Sequence, residues 1–104
     1  MANVNTTARP RIAQASEPTI YNLSMPLANT EYSLTFSNNT KKFLLRMRTP
    51  AVCKVAFASG ETVTKYITVN PMNSYSEDGL DLVSITIYLS SSVSGQVAEI
   101  LEWV

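Results

Sequence analysis

Cys53 is the side chain in this sequence best suited to covalent chemistry, but no histidine accompanies it. Histidine is the residue that most often serves as a general base or a metal ligand in proteins. Cys53 alternates with Val55 and Phe57, so we expect a buried thiol that packs as a small hydrophobic side chain. A single cysteine also cannot close an internal disulfide or form a thiolate cage around a metal. We therefore predict no catalytic residue, no metal site and no cofactor, and a protein that is not an enzyme.

Two groups of carboxylates could also do chemistry, but their spacing does not suit it. The segment Glu77–Asp81 lacks the twelve-residue pattern and the closing glutamate of a calcium loop, and its Asp78-Gly79 pair favours a hairpin turn. Glu99 and Glu102 are three residues apart, so on a strand they face opposite sides. The paired carboxylates of glycoside hydrolases must instead converge across about 5–9.5 Å. Neither group predicts an active site.

Three cations are predicted to share one face of a strand. In the segment Lys41–Arg48, apolar residues alternate with Lys42, Arg46 and Arg48, which places these three side chains outward. Such a stripe can bind phosphates or an acidic partner, or it can be an ordinary solvated strand face, and both interpretations fit the pattern. The formal net charge of zero argues against binding to nucleic acid or to an anionic membrane. Lys42, Arg46 and Arg48 are therefore candidate partner-binding residues.

Charge is divided unevenly along the chain. Residues 1–65 hold eight basic and three acidic residues, a net charge of +5, whereas residues 66–104 hold five acidic residues and no basic one, a net charge of −5. A neutral molecule with its charges separated in this way can pair them internally, or it can pair them between copies in an assembly. Self-association in a multi-copy assembly is therefore one expectation.

These residues must be positioned by β-strands, because short apolar runs with period-two alternation begin at Thr19 and recur with turn residues between them. No segment has a convincing helical pattern over ten residues. The spacing predicts an all-β fold, a two-sheet antiparallel sandwich of about 7–8 strands that is either a jelly roll or immunoglobulin-like. The main predicted strands are Ile20–Met25, Glu31–Phe36, Lys41–Arg48, Cys53–Ala58, Thr62–Val69, Leu82–Leu89 and Gln96–Val104.

The same alternation assigns side chains to the core. Phe57 continues the inward positions of its strand, and Val63 is carried by the next one. Val83 is the first of the inward positions in 82–89, the most regular strand pattern of the chain. At the far end, we expect Trp103 to plug the sandwich. The strand Lys41–Arg48 directs three apolar side chains inward, namely Phe43, Leu45 and Met47.

Residues 1–18 are polar, small and aperiodic, so we predict an extended N-terminal arm ahead of a sandwich domain at 19–104. An arm of this length spans up to about 60 Å at about 3.3 Å per residue. Its two guanidinium groups lie on a backbone stiffened by proline, which suits contact with partner carboxylates. A frayed terminus is the alternative. The candidate partner-binding residues of the arm are Arg9, Pro10, Arg11 and Ile12.

The sequence contains no run of 18 apolar residues, and its first 17 residues contain no hydrophobic signal core. We therefore expect a soluble protein that is made in a cytoplasm and has no membrane partner. Charged residues make up 15% of the chain, while serine and threonine are abundant. A surface of hydroxyls and amides suits a β-protein that is packed against others.

The stretch from Lys42 to Trp103 contains the segments KFLLRMR, CKVAFASGETVTKYITV and YSEDGLDLVSITIYLSSSVSGQVAEILEW. In texture and strand order it resembles small structural proteins of tailed-bacteriophage virions, which are compact β-domains that decorate or cement the head shell or lie at a neck or tail position. The resemblance implies a non-enzymatic role, many identical copies and binding to the major capsid protein or another virion protein. It also implies a location in the virion after synthesis in the host bacterial cytoplasm.

Three functional hypotheses follow. The first is a decoration or cement protein that binds and stabilises an assembled capsid. The second keeps the protein in the virion but places it at the neck, the tail or a fibre base. The third is a carbohydrate-binding sandwich, for which the possible stacking platforms are Tyr66, Tyr75, Tyr88 and Trp103.

Overall fold

The computed structural model describes residues 17–36 and 38–104. The described residues form an all-β fold, as the alternation of the sequence predicts. A short 3₁₀ turn at Glu61–Val63 replaces the start of the predicted strand Thr62–Val69. The prediction of an extended arm concerns residues 1–18, and the arm's four candidate residues, Arg9 to Ile12, lie outside the described residues. The strands are β1 Thr19–Met25, β2 Tyr32–Thr35, β3 Asn39–Thr40, β4 Lys42–Met47, β5 Cys53–Ala56, β6 Ile67–Val69, β7 Ser74–Glu77, β8 Leu82–Val83, β9 Thr86–Ser91 and β10 Gln96–Trp103.

Eight of these strands form two antiparallel sheets of four. The front sheet has the order β1–β10–β4–β7, and the back sheet has the order β2–β9–β5–β6. The pairings nest, because the first of the eight strands pairs with the last, the second with the seventh, the third with the sixth and the fourth with the fifth. A long hairpin folded over on itself produces this order, which is that of a jelly roll. The topology therefore decides between the two sandwich types that the sequence left open.

The core lies between the two sheets and follows the period-two alternation of the strands. In β4, Phe43 and Leu45 are fully buried while Arg46 is exposed, so the predicted inward and outward faces of this strand are confirmed. Cys53 is fully buried, as its alternation with Val55 predicts. Burying a leucine or phenylalanine side chain stabilises a fold by roughly 1.5–3 kcal/mol relative to leaving it exposed. The buried cluster consists of Met25, Phe36, Phe43, Leu45, Cys53, Val55, Val69, Ile87, Leu89, Ala98 and Ile100.

The predicted continuous strand at 82–89 is wrong. The chain breaks at Ser84, whose φ of 60° lies in the left-handed region that non-glycine residues rarely adopt. Before the break, β8 pairs with β3 in a separate two-stranded sheet, and Val83 is 69% exposed. After it, β9 begins at Thr86 and occupies the centre of the back sheet. The alternating pattern is the same on both sides of the break, so it does not indicate that the two parts pair with different strands.

The expected inward positions of Phe57 and Val63 are also wrong, because β5 ends at Ala56 and β6 is only three residues long. Phe57 is 44% exposed and Val63 is 74% exposed. Between them the chain turns through Gly60, whose φ of 81° suits glycine. Glu31 holds this turn, since its carboxylate accepts hydrogen bonds from the Gly60 N–H at 2.9 Å and from the Thr62 hydroxyl at 2.7 Å.

At the end of β10, the inward side chain is Glu102 and not Trp103, which is the reverse of what we expect. Glu102 is fully buried together with Ala98 and Ile100, whereas Trp103 is half-buried on the outer face of the front sheet. The prediction that Trp103 plugs the sandwich is therefore wrong, and a carboxylate occupies the inward position next to it. The prediction that Glu99 and Glu102 face opposite sides is confirmed, since Glu99 lies on the outer face with the guanidinium groups described below.

Candidate partner-binding face

The outer face of the front sheet carries an apolar row that crosses three strands. The strand register places Leu101 of β10 opposite Ile20 of β1 on one side and opposite Leu44 of β4 on the other. Ile20 is 65% exposed, and the other two side chains are half-buried. A shallow groove of about 390 Å³ runs along this row. The front face, defined here by Ile20, Asn22, Lys42, Leu44, Arg46, Arg48, Glu99, Leu101 and Trp103, therefore combines an apolar centre with polar surroundings.

A network of charges lies beside the apolar row. Arg46 Nε lies 3.1 Å from Glu99 Oε1, and Arg48 Nε lies 3.0 Å from Glu99 Oε2. Arg48 Nη2 also donates to the side-chain oxygen of Asn22 at 3.1 Å. The hydrogen bonds from Arg48 and Arg46 lower the pKa of Glu99 below its ordinary value. One carboxylate thus contacts two of the three cations of the predicted basic stripe and offsets one of their positive charges, although ion pairs at this level of exposure stabilise the fold only weakly.

Lys42 lies over the ring of Trp103, with its ammonium nitrogen 5.0 Å from the ring centroid. This distance is typical of a cation–π contact. The three predicted residues Lys42, Arg46 and Arg48 therefore lie together on the front face, and each already has an intramolecular contact. The aromatic ring and the lysine stem extend the apolar row toward the end of β10.

The separated charges of the sequence meet within the described part of the chain. Arg46 and Arg48, from the positive half, pair with Glu99 from the negative half. Lys41, also from the positive half, pairs with Asp81 from the negative half, with Lys41 Nζ 3.3 Å from Asp81 Oδ1. Of the two arrangements that the sequence left open, internal pairing is the one observed for these groups.

The four aromatic residues of the carbohydrate hypothesis do not form one platform. Trp103 lies on the front face, whereas Tyr66 lies near β5 and β6 of the back sheet with Lys54 Nζ 4.8 Å from its ring centroid. Tyr75 is half-buried, and its ring centroid is 6.0 Å from that of Phe43 in the core. Burial and a hydrogen bond to Glu77 raise the pKa of Tyr75 to about 12.

A cleft of about 590 Å³ opens near the start of β9. Its lining is mainly apolar and includes Phe57 and Tyr88, with Glu77 as its carboxylate. The Tyr75 hydroxyl donates to this carboxylate. The cleft can accept an apolar group, but general acid–base chemistry on a sugar requires a second carboxylate facing the first, and the lining does not supply it.

Sequence reasoning missed the buried carboxylate of Glu102. Its Oε1 accepts a hydrogen bond from the Tyr21 hydroxyl at 2.8 Å, and its Oε2 accepts one from the fully buried Thr40 hydroxyl at 2.6 Å. The hydrogen bond to Glu102 raises the pKa of Tyr21, because the carboxylate stabilises the neutral phenol. The contacts join β1, β3 and β10 inside the sandwich. The signal in the sequence was the period-two alternation of β10, which places Glu102 on the same face as Ala98 and Ile100.

Within residues 17–36 and 38–104, no group of three or more histidine, cysteine, aspartate or glutamate side chains is placed to hold a metal ion. The same part of the chain has no helix of the length and apolarity required to cross a bilayer. The chain was compared with protein-family models, curated proteins and solved structures. No family model, curated protein or solved structure is similar enough to match it.

Proposed function

We propose that this chain is a non-enzymatic virion structural protein that binds and stabilises an assembled bacteriophage capsid as a decoration or cement protein. The observation that carries the proposal is the front face, where Ile20, Leu101 and Leu44 form an apolar row across a rigid sheet. An apolar centre with a polar rim is the usual composition of a protein–protein interface. The resemblance of the stretch from Lys42 to Trp103 to virion structural proteins supports the major capsid protein as the partner.

The front face is suited to bind without rearrangement. Its side chains project from hydrogen-bonded strands, so little conformational entropy is lost when a partner covers them. Trp103 supplies an aromatic anchor of the kind that dominates binding energy at interfaces. Because Glu99 already offsets one of the two positive charges of Arg46 and Arg48, a capsid surface does not have to supply a carboxylate for each guanidinium.

Binding of this kind stabilises the capsid by linkage. A protein that binds only the assembled lattice stabilises it by about 2.7 kcal/mol per site when its free concentration is a hundred times its dissociation constant. Many identical sites on one shell multiply the effect. This role requires a surface complementary to the capsid, and it does not require catalytic residues.

The proposal implies a phage source, and the test is cosedimentation with heads and tails fractionated from a lysate of that phage. We expect the purified chain to bind DNA-filled heads and the Leu101→Glu variant to bind at least about tenfold more weakly, because a charge enters the apolar row. Tyr88→Glu is the matched control, since Tyr88 is also half-buried on the outer face of a central strand, but on the back sheet. Circular dichroism verifies that both variants fold.

Each other outcome contradicts the proposal in a defined way. Binding to tails and not to heads moves the protein to the neck, the tail or a fibre base. Equal binding by Leu101→Glu and the parent chain removes the front face as the site. A loss confined to Tyr88→Glu moves the capsid-binding site to the back sheet. Quenching of Trp103 fluorescence by sugars, without binding to heads, favours the carbohydrate hypothesis.

The predicted role of the N-terminal arm is tested separately. Deleting residues 1–18 should leave the fold intact, because β1 begins at Thr19. We expect the truncated chain to bind heads at least about tenfold more weakly, since an extended arm covers additional partner surface. The same cosedimentation assay measures this, with thermal unfolding as the control for folding. Unchanged head binding by the truncated chain contradicts the arm's role.

A further inference from the structure

β1 is the longest strand at the edge of either sheet, and no strand of the described residues pairs with its other side. It has seven residues, whereas the edge strands β2, β6 and β7 have four, three and four. Within the described residues its strand neighbour in the sheet is β10, on one side. Open edges of this length are templates for pairing with another chain, and proteins usually protect them with charges, prolines or bulges. β1, with the sequence TIYNLSM, has neither a charged residue nor a proline.

The hydrogen bonds of β10 show which groups of β1 face the open side. The carbonyl of Val97 accepts from the Arg48 N–H at 3.0 Å, and that of Trp103 accepts from the Lys41 N–H at 2.8 Å, so odd-numbered residues of β10 face β4. The even-numbered residues therefore face β1, because backbone groups alternate sides along a strand. The register pairs them with Thr19, Tyr21, Leu23 and Met25.

The remaining residues of β1, Ile20, Asn22 and Ser24, consequently direct their N–H and C=O groups to the open edge. Their side chains are exposed on the front face. Antiparallel pairing of this edge with itself is self-complementary when it is centred on Asn22. In that register Asn22 faces Asn22 of the second copy, and Ile20 faces Ser24. Each facing pair exchanges two main-chain hydrogen bonds.

We propose that two copies of this chain pair through β1, antiparallel about a two-fold axis at Asn22, and so join their front sheets into one sheet of eight strands, four from each copy. The contact is isologous and closes at the dimer. It places the two apolar rows on one continuous surface, and pairing covers part of Ile20, the most exposed member of the row. The facing side chains are uncharged, and Glu99 offsets one of the two positive charges of the nearby Arg46 and Arg48.

A single introduced cysteine tests both the pairing and its register. Facing residues in a hydrogen-bonded antiparallel pair have Cα atoms about 5.5 Å apart, which is within the range of a disulfide. Asn22→Cys in the full chain should therefore form a covalent dimer under mild oxidation on a non-reducing gel. Ser24→Cys is the matched control, because its two copies would be four residues apart along the paired strands and out of reach. The native Cys53 is fully buried and does not compete.

A second variant measures the contact without a crosslink. Asn22→Lys places two ammonium groups opposite each other on the axis, and we expect it to raise the dimer dissociation constant at least about tenfold in sedimentation equilibrium. Ser33→Lys adds the same charge to an exposed position of another edge strand, β2, and should leave the constant unchanged.

The results that would overturn the inference are specific. A parent chain that stays monomeric at about 200 µM, well above the typical dissociation constants of specific complexes, removes the dimer. If Ser24→Cys crosslinks as well as Asn22→Cys, the proposed register is wrong. If the chain forms a trimer or a ring, the proposed two-fold contact is wrong. If the chain dimerises only after deletion of residues 1–18, these residues occupy the edge of β1 in the full chain, and the proposed dimer of the full chain is wrong. None of these assays contains capsid, so their failure and the failure of capsid binding are distinguishable.

Discussion

Replacing Glu102 with alanine should lower the free energy of unfolding at pH 7 by about 3–5 kcal/mol. The substitution removes the acceptor of two hydroxyl groups, that of the half-buried Tyr21 and that of the fully buried Thr40. A buried donor without a partner costs about 1–3 kcal/mol, and the cavity left by the shortened side chain adds to this. Urea denaturation followed by the fluorescence of Trp103, the only tryptophan of the chain, measures the change.

Glu102→Gln separates shape and hydrogen bonding from charge. The amide has the size of the carboxylate, its oxygen accepts from one hydroxyl, and its nitrogen donates to the other, whose own proton can rotate. The variant also removes the cost of burying a charge, so we expect a loss below about 1.5 kcal/mol. If Glu102→Gln destabilises the fold as much as Glu102→Ala, the negative charge itself holds β1, β3 and β10 together, and the hydrogen-bond explanation is wrong.

Raising the pH from 9 to 12 should remove a large part of the stability of this protein. Burial raises the pKa of the Cys53 thiol from 9.0 to about 12, so the unfolded chain ionises before the folded one. The contribution of a raised pKa is complete below pH 9 and is lost as the pH rises toward 12. At about 1.36 kcal/mol per unit, Cys53 alone accounts for about 4 kcal/mol. Tyr75 adds to the loss above pH 10.

Two variants divide this pH dependence into its parts. Cys53→Ala should reduce the fall between pH 9 and 10, where Cys53 contributes more than the tyrosines, and Tyr75→Phe should reduce the fall above pH 10. Urea denaturation at intervals of half a pH unit gives the slopes. A fall between pH 9 and 10 that is equally steep in Cys53→Ala shows that another group is responsible. Slow reaction of the native thiol with a disulfide reagent at pH 8 provides an independent check on its burial.

Local alternation was sufficient to predict the faces of a strand with one apolar side. In β4 the buried Phe43 and Leu45 alternate with outward positions that hold Lys42, Leu44 and Arg46, and Arg48 follows the strand, so the predicted inward residues and the outward cations were placed correctly. Such a strand has one way to bury its apolar side against a core. The sandwich architecture also followed, because strands of this type recur along the chain.

The faces of β10 could not be predicted in the same way, because both of its sides are apolar. Leu101 and Trp103 lie on one side, and Ala98 and Ile100 lie on the other with Glu102. The choice depends on Tyr21 and Thr40, whose hydroxyls come from distant parts of the chain and make the burial of a carboxylate possible. Hydrophobicity along one strand does not contain that information.

The candidate site was predictable in its charges and not in its apolar centre. The three cations share a single strand, so their common face follows from spacing. The row formed by Ile20, Leu101 and Leu44 exists only because β1 and β4 both pair with β10 in a particular register. These pairings join Leu101 to Ile20 and to Leu44, which are 81 and 57 residues away along the chain, and nothing local to any of the segments specifies them.

The nested order of strands also determines when this protein can fold. β10 connects β1 to the rest of the front sheet, because β1 has β10 as its strand neighbour and β4 lies on the other side of β10. A nascent chain that has not yet extended through residues 96–103 therefore cannot hold β1 in place, however long it waits on the ribosome. Pairing of such distant segments is slow, and the apolar side chains of β1 stay accessible to chaperones until residues 96–103 have been synthesised. Closure of the front sheet therefore has to wait for β10.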